Sequence, residues 1–110
     1  MKRWDIIFVR ADERDLTGHP GIVLSDDAIL ADPHQRRINV LMGTKKTPAV
    51  APRTHHVVLD EADGLDHLTL FDCALIYLAP KSAVIRTAGT VTEHRQTDIR
   101  RKVRACLGLG

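Results

Sequence analysis

The chain has 110 residues, 44% hydrophobic and 27% charged, with a formal net charge of +2. This excludes collagen-like, low-complexity and disordered classes, and the length suits one domain spanning residues 1–110. No apolar run reaches bilayer-spanning length, and the basic start leads only into Ile6–Val9 before Arg10, too short for a signal-peptide core; a cytoplasmic protein with no membrane contact is expected. Cys73 and Cys106 have no paired spacing and are read as thiols of a reducing compartment.

Trp4–Arg10 predicts a first strand, β-branched and aromatic, stopped by the charged run after it. The polar loop from Ala11 ends in Thr17–Ser25, TGHPGIVLS, where Gly18, Pro20 and Gly21 punctuate a tight approach to a second strand, Gly21–Ser25. Pro20 fixes its own φ and biases His19 toward extended backbone, so the imidazole is held at the mouth of that strand. Asp26-Asp27 turns the chain, and Ala28–Ala31 is too short to assign. Ile38–Met42 predicts a third strand, Pro48–Thr54 an irregular segment and His56–Leu59 a fourth strand. Asp63-Gly64 is a hairpin signal within the turn Asp60–Leu65. Leu68–Phe71 and Ala74–Leu78 predict two further elements, and Val84–Val91 a last, irregular strand. Thr92 and Glu93 open a helix whose Ile99, Val103 and Leu107 form one stripe. Asp98 is placed to pair with Lys102, and Gly108 ends the helix. The expected fold is mainly β with a C-terminal helix, as a small, strongly curled sheet or barrel.

The charge is unevenly placed. Residues 31–56 carry net +4, residues 57–80 net −5 and residues 81–110 net +5. The alternation reads either as solvated surface or as a phosphate-facing side and a partner-facing side. Aromatics at 4% leave few stacking platforms for a single-strand binder built on base stacking.

The loop-and-strand GHPGIVLS resembles the mark of the MazF/PemK-like toxins, small ribonucleases of bacterial toxin–antitoxin pairs. Thr44 after the third strand, VVL with its Gly64-Leu65 turn, the step Phe71-Asp72-Cys73 and Gly89 before the helix extend the resemblance from Trp4 to Leu109. It implies an SH3-like barrel of the MazF/PemK/CcdB kind with a closing helix, acting as a homodimer on single-stranded RNA beside a cognate antitoxin. It also implies cleavage without a metal or other cofactor, by attack of a 2′-hydroxyl on the adjacent phosphate. By that match, Thr44 bonds a phosphate oxygen, and Asp72 and His19 complete the catalytic set. His19 stands where the family has an arginine, and Leu70 stands where it has another, two places before Asp72.

Each candidate carries a plainer reading. His19 can act as acid or base near neutrality or be a surface or capping group, and it cannot replace arginine as a permanent bidentate phosphate clamp. Arg36, Arg37, Lys45 and Lys46 read as an RNA-binding track around Thr44 or as a solvated rim. His55-His56 invites a metal, but neighbours on an extended chain point to opposite faces, so no metal site is expected. Cys73 reads as core rather than nucleophile, and Asp60, Glu61, Asp63 and Asp66 as turn chemistry. Three functions follow: a MazF/PemK-like endoribonuclease, a catalytically impaired RNA- or partner-binding protein of the same fold, and a barrel toxin acting on a protein, as gyrase poisons do. The missing arginines favour the second over an efficient enzyme.

Overall fold

A computed structural model describes residues Met1–Gly110. Its strands are β1 (Asp5–Val9), β2 (His19–Val23), β3 (Arg37–Lys45), β4 (His56–Leu59), β5 (Thr69–Pro80) and β6 (Val84–Thr90); its helices are α1 (Asp27–Ala31) and α2 (Glu93–Leu107). The strands form one antiparallel sheet in the order β4-β5-β3-β2-β1-β6. The mainly β fold with a C-terminal helix is as expected, and the sheet curls into a half-barrel whose end strands, β4 and β6, are not hydrogen-bonded to each other.

Side-chain alternation sends consecutive apolar residues to opposite faces. Ile6, Ile22, Leu41, Val57 and Phe71 meet Trp4, Val91 and Ile99 of α2 in one core. Ile7, Val23, Val40, Ile38 and Ala79 form a second core on the other face, with Leu30 of α1 packed against it. Both faces are thus covered, which explains the apolar runs IIFV and IV where a half-exposed strand would alternate.

Several local expectations change. The second strand begins earlier, at His19, with Pro20 opposite Phe8. Residues 27–31 form α1, which Asp26 caps by accepting from the Ala28 N–H at 3.1 Å. The two elements expected after residue 68 are one strand, β5. Where a break was expected, a bulge sets the four residues Asp72–Leu75 opposite Met42, and the Asp72 carboxylate accepts from the Ala74 N–H at 2.9 Å. A bulge bends a strand without ending it.

Asp63-Gly64 makes no two-residue hairpin. Asp60 and Asp63 cap a 3-10 turn at Glu61–Asp63, and Gly64 closes it in the left-handed region at φ 92°. Thr92 occupies the N-cap position of α2, but its hydroxyl makes no cap bond and is buried without a partner. The Thr92 N–H instead donates to the Asp63 carboxylate at 3.1 Å. Asp98 pairs with Lys102 at 3.2 Å as expected. It also binds Arg101, and that hydrogen bond is the main reason its carboxyl lies below the usual range, with Lys102 adding and partial burial opposing. Gly108 ends the helix at φ 69°.

Candidate functional site

Asp15 organises the β1–β2 loop. Its carboxylate accepts from the Ala11 N–H at 2.9 Å and the Gly18 N–H at 2.8 Å. The Ala11 bond, then the Gly18 bond, holds its carboxyl below the usual range, against a desolvation cost and with some help from His19. The His19 Nε2 lies 3.5 Å from the Asp15 Oδ2, with the imidazole more than half exposed. The loop therefore sets the Asp15 carboxylate beside His19, farther than a good hydrogen bond.

Sheet register places the other candidates. β2 and β3 pair as Ile22↔Leu41 and Gly21↔Met42. Continued two residues, that register sets His19 level with Thr44, both on the face of the second core. Lys45 and its partner Thr69 lie on the opposite face. There they line a groove of about 420 Å³ with Phe8, Gly18, Pro20, Asp66, His67 and Arg86. The Arg86 guanidinium lies 4.0 Å from the centre of the Phe8 ring, a cation–π contact that pre-orients it. One rim of the sheet thus carries an imidazole and a hydroxyl on one side, and a lysine, a stacked arginine and a second imidazole on the other. Lys46 follows at the rim, its N–H donating to the Leu68 carbonyl at 2.8 Å.

Arg86 and His67 did not stand out in the sequence. Arg86 is a single base in an irregular strand, and only the curl of the sheet brings β6 beside the loop that carries His67. Arg36 and Arg37 do not crowd Thr44. Arg37 begins β3 and Lys45 ends it, so an extended strand separates them by roughly 26 Å. The two arginines instead border a cleft with Gln35 and Lys81.

Asp72 makes no hydrogen bond or ion pair with His19 or Thr44. It faces His55 and His56, whose Nε2 atoms lie 3.5 and 3.8 Å from its two carboxylate oxygens. Cys73, next along, is buried in the first core. Burial pushes its thiol up to about 12, so it is no thiolate nucleophile at neutral pH. Asp63 is buried and ion-paired to Arg95, a structural role rather than part of an acidic cluster.

No family profile and no curated protein sequence matches the chain. Solved structures do. The Mycobacterium tuberculosis toxin MazF-mt6 superposes with a TM-score of 0.79 at 17% identity, covering 96% of this chain and 98% of that one. An endoribonuclease from a mycobacterial species, solved in complex with its cognate antitoxin, gives 0.79 at 16% identity over 100% and 97%. A MazE–MazF structure from Deinococcus radiodurans gives 0.74 at 12% identity over 100% and 98%. The chain has the fold of the MazF-type toxins, over its whole length.

Proposed function

We propose that this chain binds single-stranded RNA at the rim formed by the β1–β2 loop and the end of β3, and cleaves it as a toxin of the MazF type held in check by a cognate antitoxin. What supports the reading is that His19 and Thr44 on one face of the sheet, and Lys45 and Arg86 on the other, border neighbouring strand ends of a MazF-type fold, with Lys46 next in the chain. Attack by a 2′-hydroxyl needs a base, an acid for the leaving oxygen and cations for the charge that develops on phosphorus. His19 supplies proton transfer, Thr44 a hydrogen bond to a phosphate oxygen, and Lys45, Lys46 and Arg86 the positive charge. Arg86 is the one guanidinium lining the groove.

A second reading, RNA binding without cleavage, is favoured by one observation. His19 stands in the place of a permanent clamp and has the Asp15 carboxylate 3.5 Å away. The test uses the full chain in EDTA, digesting a long unstructured RNA from pH 5.5 to 8.5 beside His19→Ala. Cleavage that His19→Ala lowers by about a hundredfold or more supports the assignment. A rate falling as pH rises through the imidazole pKa marks a charge-stabilising His19, and the opposite slope marks a base. Equal cleavage by both proteins removes His19 from the mechanism, and no cleavage by either selects the second reading. In both readings, Lys45→Glu with Lys46→Glu should abolish binding, and Arg86→Ala should weaken it. For two phosphate contacts the salt slope accounts for about 1.4 log units per log unit of salt. Unchanged RNA affinity in the double variant would remove the rim.

A further inference from the structure

His55 and His56 are adjacent in sequence yet converge in space, which strand alternation would forbid. The reason is local. His55 lies in the turn before β4, and only His56 belongs to the strand. The backbone of both is pinned: the His55 carbonyl accepts from the Cys73 N–H at 2.9 Å, and the His56 carbonyl from the Lys102 Nζ at 2.8 Å. The two rings stand 4.4 Å apart, centre to centre, tilted by 59°. Across the strand pair, His56 is the register partner of Asp72, whose carboxylate is fixed at the bulge by the Ala74 N–H.

The spacing is the informative feature. The imidazole-to-carboxylate distances of 3.5 and 3.8 Å exceed those of good N–H···O hydrogen bonds. One potential donor atom from each of the three residues lies within 4.8 Å of the others. Around a tetrahedral ion with bonds of about 2.0–2.2 Å, neighbouring ligand atoms stand roughly 3.4 Å apart. The side chains are also partly covered, His56 at 13% exposure and Asp72 at 27%. Two imidazoles and one carboxylate suit zinc-like transition ions and not magnesium, which requires oxygen ligands and octahedral geometry. The nearby Lys102 ammonium is offset by Asp98.

We propose that His55, His56 and Asp72 bind one divalent transition-metal ion of the zinc type, tying the turn before β4 to the bulge of β5. The site shares no residue with the proposed RNA-binding rim and does not rest on the RNA reading. One proton must move. The His56 Nδ1 now accepts from the Arg53 N–H at 2.9 Å. Ligation through Nε2 puts the proton on Nδ1, so the metal breaks that bond and shifts the Arg53 segment.

The test is titration of the full chain with Zn²⁺ alone and with Mg²⁺ alone, by calorimetry and thermal unfolding, with the Arg53 amide followed by NMR. Expected are one Zn²⁺ per chain, a higher Tm, a displaced Arg53 amide and no response to Mg²⁺. His55→Ala and Asp72→Asn should each weaken Zn²⁺ binding by about tenfold or more, while His34→Ala, at an exposed histidine elsewhere, should not. His55→Gln serves if the alanine variant fails to fold, since this turn side chain is replaced without emptying the core. Failure to saturate below about 100 μM Zn²⁺, or equal binding by the His55 and His34 variants, overturns the site.

Discussion

Asp63 is a carboxylate with no exposed side-chain surface, and three groups, one from its own turn and two from the start of α2, compensate it. The Asp60 N–H and Thr92 N–H donate to it at 3.2 and 3.1 Å, and Arg95 approaches at 3.3 Å. Arg95 also donates to the Val58 carbonyl at 2.6 Å and to Asp60 at 3.1 Å. One guanidinium therefore ties α2 to β4 and to the turn after it. Removing one member of a buried pair leaves an uncompensated charge, a large cost; because Arg95 is 23% exposed, water recovers part of it. Arg95→Ala should cost about 2–3 kcal/mol in urea unfolding, and Arg95→Lys should recover only part of that, because an ammonium cannot reach all three acceptors in a planar fork. A loss within 0.5 kcal/mol, the range of ordinary surface changes, would show the cluster to be incidental. The sequence marked Asp63 only as a turn residue. Its partner at Thr92 is 29 positions away, and no local pattern announces such a contact.

The elements were legible where local chemistry decides them. WDIIFVR and HVVL carry β-branched apolar runs and Ile99–Val103 a helical spacing, and all three survive in the fold. The errors fall where tertiary contacts overrule the local signal. β5 continues through Asp72 because β3 pairs with it on both sides of the bulge. The glycine pair Gly64 and Gly89 is the other case. A Cβ on Gly89 would lie 2.4 Å from the Asp63 carbonyl oxygen and 3.1 Å from the Gly64 Cα, so the turn after β4 presses backbone to backbone against β6. The curl of the sheet thus brings its two ends together through bare backbone, where strand-to-strand hydrogen bonds are absent. Gly89→Ala should destabilise the protein by about 2 kcal/mol or more, the range of overpacking without room to relax, read as a lower urea midpoint at unchanged slope. The candidate site was legible in part for the same reason. Thr44, Lys45 and His19 sit beside recognisable strand ends, whereas Arg86 and His67 become neighbours only when the sheet curls.

At the scale of the whole molecule, the half-barrel leaves one long edge open. β4 covers β5 only from Thr69 to Asp72, so from Ala74 to Pro80 one side of the strand has no partner. Leu75, Tyr77 and Leu78 along it are each at least half exposed. An uncovered apolar edge of this length is a template for further pairing unless something covers it. The apolar stripe of α2 gives little reason for association. Ile99 and Val103 are taken up by the protein's own core, and only Leu107 is left exposed. A second copy brought antiparallel against β5 by a two-fold axis would extend both sheets and bury the same three side chains from each protomer. On this reasoning a dimer of this chain would form through β5. The native chain should then sediment as a dimer at tens of micromolar, and Leu78→Asp combined with Tyr77→Asp should give a monomer. Because both side chains are exposed, the melting temperature of the isolated fold should hold apart from the concentration-dependent part that dimerisation adds. A native chain that remains monomeric at that concentration, or a double variant that still pairs, would place the interface elsewhere.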